Sequence, residues 1–97
     1  MDRQSKWRLS PAYDVMYSYN PTGDWTSKHQ MSINGKQDDF TKQDLLATAK
    51  IAGLNNTKCK KIIDDVIAVS HEWEKIALGA DVDNRRIHSI KKVFRPL

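Results

Sequence analysis

The sequence is poor in the residues that build disulfide frameworks and membrane spans. Cys59 is its single cysteine, so no disulfide forms within the chain, and a lone thiol fits a reducing compartment. No apolar run reaches the 18 residues that a spanning helix needs, and no basic-then-apolar leader is present. These absences lead us to expect a cytoplasmic chain that does not bind membranes.

Glycine is also scarce, and its distribution bears on phosphate binding. The four glycines stand singly, with neither a G-x-G nor a G-x-x-x-x-G-K pattern, so the sequence lacks a recognisable loop for cradling phosphates. Ligand spacings for zinc are missing as well. His29, His71 and His88 lie outside any C-x-x-C, H-x-x-x-H or H-E-x-x-H pattern, and we expect no zinc site.

Positive charge is in excess and lies in two regions. The chain has 16 lysine and arginine residues against 12 acids, a net charge of +4. One cluster surrounds Lys58–Lys61 and another follows Arg85. Basic helices of this kind bind nucleic-acid phosphates, so a small DNA-binding protein that uses the segment Arg85–Arg95 is one interpretation. The alternative is a solvated helix face, because acids such as Asp64 and Asp65 are interspersed.

The most informative segment is residues 7–15, W-R-L-S-P-A-Y-D-V. Trp7 and Leu9 alternate with polar residues, which predicts a short half-buried strand, and Pro11 removes a backbone donor and ends it. Asp14 then follows the strand. Its carboxylate is a hard oxygen ligand suited to Mg²⁺. The alternative is a loop aspartate that bonds to nearby backbone amides.

The rest of the chain divides into a β-rich first part and a helical remainder. After a surface loop near Asn20, the pair Asn34-Gly35 predicts a hairpin with a type I′ turn. Thr41 and Asp44 have the spacing of a capping box, which predicts the start of the first helix. Gly53 has the position of a helix C-terminal glycine, which predicts its end. Residues 1–39 thus form the strand, loop and hairpin, and residues 40–97 form the helical subdomain.

Two further helices follow. Asn55 or Asn56 caps the second, which carries an apolar stripe, runs through residue 76 and stops at Gly79. The stripe consists of Cys59, Ile62, Val66, Val69, Trp73 and Ile76. Asp83 caps the third helix, which Pro96 terminates. The predicted fold is mainly α, of α+β type: a three-helix C-terminal bundle with a short N-terminal strand and a small β-hairpin, forming one partial domain over residues 1–97.

Three motifs resemble HipA-like serine/threonine kinases, the toxins of bacterial toxin-antitoxin pairs. They are the segment ending in Asp14, the pattern H-x-M-S-I-x-G-K at residues 29–36, and D-L-L-A-x-A at residues 44–49. The resemblance spans roughly residues 6 to 90. It implies a fragment of the kinase C-terminal lobe in which Asp14 is the Mg²⁺-binding acid, equivalent in role to the DFG aspartate of other protein kinases.

The same resemblance implies cofactors and partners. The intact parent kinase uses Mg²⁺ and ATP, transfers phosphate to protein serine or threonine, and associates with a HipB-like antitoxin, through which DNA contact is indirect. The family's D-x-x-x-x-N catalytic loop is missing from this sequence, so we assign no catalytic residue and expect neither tight cofactor binding nor activity by the chain alone.

The missing portion suggests two consequences for partners. In the first, the chain is an interaction module that docks on the antitoxin or on a separately encoded N-terminal kinase part. In the second, the strand at residues 7–9 has an unpaired edge, and the chain forms homo-oligomers through it or stays disordered there.

Overall fold

The computed structural model describes residues 3–95 and 97, and its regular elements are all helical. The helices are α1 (Lys42–Ile51), α2 (Asn56–His71), α3 (Trp73–Gly79) and α4 (Asn84–Lys91). Residues 3–41 are turns, bends and coil, with one isolated bridge between Ile33 and Lys36. The predicted α+β fold is therefore wrong, because the described residues contain four helices instead of three, and neither a strand nor a sheet.

The segment around Trp7 lacks the strand that its alternation predicts. Trp7 is 84% exposed and Leu9 is 98% exposed, and residues 6–13 have no regular secondary structure. An alternating segment becomes a strand only when another strand pairs with it and its apolar face is covered. Neither condition is met within the described residues, so the segment is coil with its apolar side chains in solvent.

The Asn34-Gly35 turn is confirmed, but the hairpin around it is not. Asn34 and Gly35 have φ of 51° and 75°, which is the left-handed pair of a type I′ turn. Ile33 and Lys36 exchange backbone hydrogen bonds of 2.8 and 3.0 Å across it. Pairing ends at this one bridge, so the turn has no flanking strands.

Helix α1 begins and ends as its sequence predicts. The backbone N–H of Thr41 donates to Asp44 Oδ2 at 2.8 Å, and the Asp44 N–H donates to Thr41 Oγ1 at 3.3 Å, which completes the capping box. At the other end Gly53 has φ of 69°. The N–H groups of Gly53 and Leu54 bond to the carbonyls of Lys50 and Ala49, in the pattern of a Schellman motif.

The second predicted helix is divided in two at Glu72. Asn55 caps α2 by accepting from the Lys58 N–H at 2.9 Å. At Glu72 the ψ angle is 7°, and its N–H bonds to Val69, three residues back, so the α-helical ladder stops there. The apolar stripe runs through this break without interruption, which is why periodicity alone predicts one continuous helix.

The end of α3 also differs from the prediction. Gly79 is the last helical residue, and the left-handed position belongs to Asp81, with φ of 59°. Asp81 and Val82 bond back to Leu78 and Ala77, so a second Schellman motif forms around an aspartate. Asp83 caps α4 as predicted, accepting from the Arg86 N–H at 3.0 Å. The predicted stop at Pro96 lies outside the described residues, and α4 has already ended at Lys91.

The helices bury little apolar surface. Among the described residues the buried apolar side chains are Ala49, Ala77 and Ile87. Trp73 is partly buried: its indole N–H donates to the Ile87 carbonyl at 3.1 Å, and its ring centroid lies 5.8 Å from that of Phe94. The radius of gyration is 16.1 Å, whereas a compact domain of about 100 residues has about 13 Å. The chain is therefore expanded, with many large apolar side chains in solvent.

Candidate functional site

Asp14 lies at a bend in the coil with its side chain in solvent. Its φ is 52°, a left-handed conformation that aspartate tolerates better than most residues. Its carboxylate forms no hydrogen bond or ion pair with any residue that the structure describes. The metal-ligand role of Asp14 stays a prediction.

The most ordered polar cluster surrounds Asp44, whose side chain is buried at the start of α1. The Asn34 amide donates to Oδ1 at 2.8 Å, and the Lys36 ammonium lies 2.8 Å from Oδ2. The Thr41 backbone and hydroxyl donate to the same Oδ2 at 2.8 and 2.9 Å. The carboxylate therefore joins the Asn34-Gly35 turn to the N-terminus of α1.

These donors set the electrostatics of Asp44. The Lys36 ammonium, the Asn34 amide and the Thr41 backbone N–H together hold the pKa of the Asp44 carboxyl far below its ordinary range, and they outweigh the opposing effect of burial. Asp44 is thus ionised at any physiological pH. With three donors on Oδ2 and one on Oδ1, the carboxylate is suited to holding the turn on α1.

A second group of contacts anchors the end of the chain to the N-terminal part. Arg95 bonds to the Asp38 carboxylate and donates to the Ser27 carbonyl at 3.2 Å. Its guanidinium also lies over the Tyr19 ring, 4.9 Å from the centroid, in a cation–π contact. Loop residues 19–38 are thereby connected to the segment that follows α4.

An open cleft of about 680 Å³ lies beside these contacts. Its walls come from the loop 17–30, from the end of α2 and from residues 93–95. Ser70 and His71 both reach it, but the Ser70 hydroxyl already donates to the Ile67 carbonyl at 2.7 Å. The serine is therefore not arranged as a nucleophile activated by its neighbouring histidine.

The three histidines remain apart from any metal arrangement. Among the described residues no group of three or more histidine, cysteine or acidic side chains is close enough to hold a metal ion. His29 packs against Phe40 with ring centroids 5.3 Å apart, and His88 Nδ1 lies 2.7 Å from the Asn84 carbonyl. A Mg²⁺ ion at Asp14 would thus need its other ligands from phosphate oxygens, water or another protein part, as Mg²⁺ sites often use.

Several basic side chains are paired with acids. Lys61 lies 2.6 Å from Asp65, and Lys42 of α1 lies 2.9 Å from Asp64. On the last helix Lys91 lies 2.6 Å from Glu74 and lowers the pKa of that carboxyl. This pairing is what a solvated helix face with mixed charges predicts, and it leaves less free positive charge for a DNA groove.

Within the described residues, no helix has both the length and the apolar character to cross a bilayer. The structure consists of helices, three of them with side-chain N-caps, that follow a long coil in which the Asp14 carboxylate is exposed. A comparison of the sequence with protein-family models gives a match: the model of the HipA-like C-terminal domain matches residues 1–73. The chain belongs to the HipA-like C-terminal domain family. Searches of curated proteins and of solved structures found no match.

The resemblance seen in the motifs is thereby confirmed, whereas the role of Asp44 was not predicted. The sequence identifies Asp44 as part of a capping box, but not as the partner of Asn34 and Lys36. A signal was available, because Lys36 and Asp44 both lie in family-like motifs and are separated by only eight residues. Opposite charges so placed on a turn and on the helix that follows it are well positioned to meet.

Proposed function

We propose that this chain is the part of a HipA-like serine/threonine kinase that supplies its Mg²⁺-binding carboxylate, and that it is inactive by itself. The proposal is supported by the family match over residues 1–73 together with the free, exposed carboxylate of Asp14 at the end of P-A-Y-D. Within this proposal the intact kinase uses ATP and Mg²⁺ and works beside a HipB-like antitoxin in the cytoplasm.

Asp14 fits one position in such a metal site. Mg²⁺ in phosphoryl-transfer enzymes is held by one or two carboxylates, with water and nucleotide phosphates completing the octahedron. When bound, the ion neutralises charge that develops on the transferred phosphoryl group. Asp14 contributes the anionic oxygen, and its exposed position in coil leaves room for phosphate and for a second protein part.

The missing groups explain why the chain alone is inactive. A catalytic base and a phosphate clamp are both required for acceleration, since phosphoryl transfer depends on positioning and electrostatics. The sequence has no D-x-x-x-x-N loop and no glycine-rich loop. Asp44 is buried and accepts from four donors that hold it ionised, so it is no substitute for the base.

The test is a complementation assay. The chain with ATP and Mg²⁺ should give no phosphorylation, whereas co-expression with a HipA-like part carrying the two missing loops should give phosphoryl transfer. Asp14→Asn should lower that rate by at least about a hundredfold, as loss of a charge-stabilising group does. Asp24→Asn, in the neighbouring loop, is the control and should retain the rate. Full activity of Asp14→Asn, or strong phosphorylation by the chain alone, would contradict the proposal.

A second candidate function is a docking module without a metal role. Large apolar side chains are exposed at the end of α1: Ile51 is 87% exposed and Leu54 is 60% exposed. Exposed apolar surface of this kind commonly marks a protein contact. Ile51→Lys should then abolish co-purification with the antitoxin or with the N-terminal kinase part, while Asp14→Asn leaves it intact. Failure of the unmodified chain to bind either protein would exclude this function.

A further inference from the structure

Helix α2 carries an apolar stripe that the described part of the chain leaves uncovered. Ile62, Val66 and Val69 are 61%, 63% and 61% exposed. The helix uses a different face to pack on α1: Ile63 and Ile67 are partly buried, and Lys42 of α1 reaches Asp64 on that side. Since successive residues turn by about 100° around a helix, the uncovered stripe lies about a quarter turn from the packed face.

The stripe has the spacing of a coiled-coil seam. Cys59, Ile62, Val66 and Val69 are separated by 3, 4 and 3 residues, which places them at successive a and d positions of a heptad. Cys59 is only partly exposed and lies at the border of the two faces. A seam of this kind packs best against a second helix that carries the same spacing.

The charges beside the seam are arranged for an antiparallel partner. Lys58 and Glu72 are 14 residues apart, so they occupy the same flank of the stripe, one at each end of α2. Lys58 is a base in the first turn of α2, where acids are favoured, and Glu72 is the exposed acid that follows the last residue of the helix. Within its own chain Glu72 has a loose pair with Lys75, at 3.8 Å. An antiparallel copy would bring Lys58 of one chain beside Glu72 of the other at both ends of the helix pair.

We propose that two copies of this chain associate through α2 as an antiparallel, two-fold pair. Lys58 of each copy lies beside Glu72 of the other. This register centres the two-fold axis near Asp65 and packs Ile62 of one copy on Val66 of the other. The two Asp65 carboxylates lie near each other at this axis, and their repulsion is reduced by Lys61, which lies 2.6 Å from Asp65 in each copy. The surface replaces the N-terminal strand as the route to a homo-oligomer, and it does not depend on the kinase assignment.

Sedimentation equilibrium of the full chain over a wide concentration range tests the proposal. The unmodified chain should approach a dimer as concentration rises. Val66→Lys should weaken association by at least about tenfold, because it puts a charge into the apolar seam. The control is Leu78→Lys, which makes the same kind of change at an exposed residue on α3, outside the stripe, and should leave association unchanged. Circular dichroism would verify that both variants keep their helices.

Charge reversal tests the antiparallel register. Lys58→Glu alone and Glu72→Lys alone should each weaken the dimer, and the double variant should restore it, since the pair is re-formed with opposite signs. A chain that stays monomeric at all concentrations would overturn the proposal. The proposal would also be overturned if the stripe became protected from hydrogen exchange only after a HipA-like kinase part is added. A double variant no stronger than the single ones would overturn the antiparallel arrangement.

Discussion

Residues 3–40 and residues 41–95 both carry clear sequence patterns, but the patterns predict the structure only in the second region. The second region forms helices whose starts are fixed by side chains three residues away, such as Thr41, Asn55 and Asp83. The first region has apolar alternation at Trp7 and Leu9, but no strand. A helix satisfies its backbone within its own segment, whereas a strand needs a partner that lies elsewhere. Local signals are thus sufficient in one region and insufficient in the other.

Trp73→Ala should have the largest effect and would break the helical region. The indole bonds to Ile87 and packs on Phe94, so its loss leaves a gap between α3 and α4. Because Trp73 is only partly buried, we expect a cost of about 2–3 kcal/mol in the free energy of unfolding, below the range for a fully buried tryptophan. Urea denaturation measures it. Trp25→Ala, at a residue 77% exposed, is the control and should change stability little.

Asp44→Asn should have the second-largest effect, because Asp44 joins the Asn34-Gly35 turn of the first region to α1 of the second. The variant should lower the melting temperature and speed hydrogen exchange at Ile33 and Lys36, while Asp65→Asn, at an exposed pair, should do neither. The pKa of Asp44 is depressed in the folded chain, so its contribution is complete above its unfolded value of about 3.9 and is lost as pH falls below that. Thermal melts at decreasing pH should therefore show a drop that Asp44→Asn lacks. An equal drop in the variant would refute this account.

A pair of glycine substitutions should have smaller effects of opposite sign. Gly53→Ala forces a side chain into a left-handed position and should cost about 1–2 kcal/mol. Gly79 is helical, and a Cβ added there meets no atom within 4 Å, so Gly79→Ala should stabilise by about 0.5–1 kcal/mol. Chemical denaturation of both variants would measure the difference. Equal signs would mean that α3 does not end as described.

Leu9→Ser should have the smallest effect and sharpens the contrast. Leu9 is 98% exposed, so removing its apolar side chain should change the stability of the chain by less than about 0.5 kcal/mol. The same denaturation experiment applies. A substantial loss would indicate that this segment is covered by apolar contacts, and the comparison between the two regions would then fail.

The parts of the fold that sequence predicts are those set by short spacings. The caps of α1, α2 and α4, the glycine end of α1 and the left-handed turn at Asn34-Gly35 all depend on residues within five positions of one another. The break at Glu72 has no glycine or proline near it, so no local pattern marks it. In the candidate site, the P-A-Y-D motif identifies Asp14, and its role as a metal ligand stays a prediction. The contacts of Arg95 could not be predicted from local patterns, because Arg95 is 57 positions from Asp38 and 68 positions from Ser27 in the sequence.

That long separation has a consequence for the order in which the chain becomes structured during synthesis. Ribosomes deliver the N-terminal coil first, but Arg95, the residue that anchors loop 19–38, is made after all four helices. Closing such distant contacts is slow compared with forming a helix. Asp44 can attach the Asn34-Gly35 turn to α1 earlier, but residues 19–27 lack their Arg95 contacts, and stay open to proteases or chaperones, until translation has passed α4.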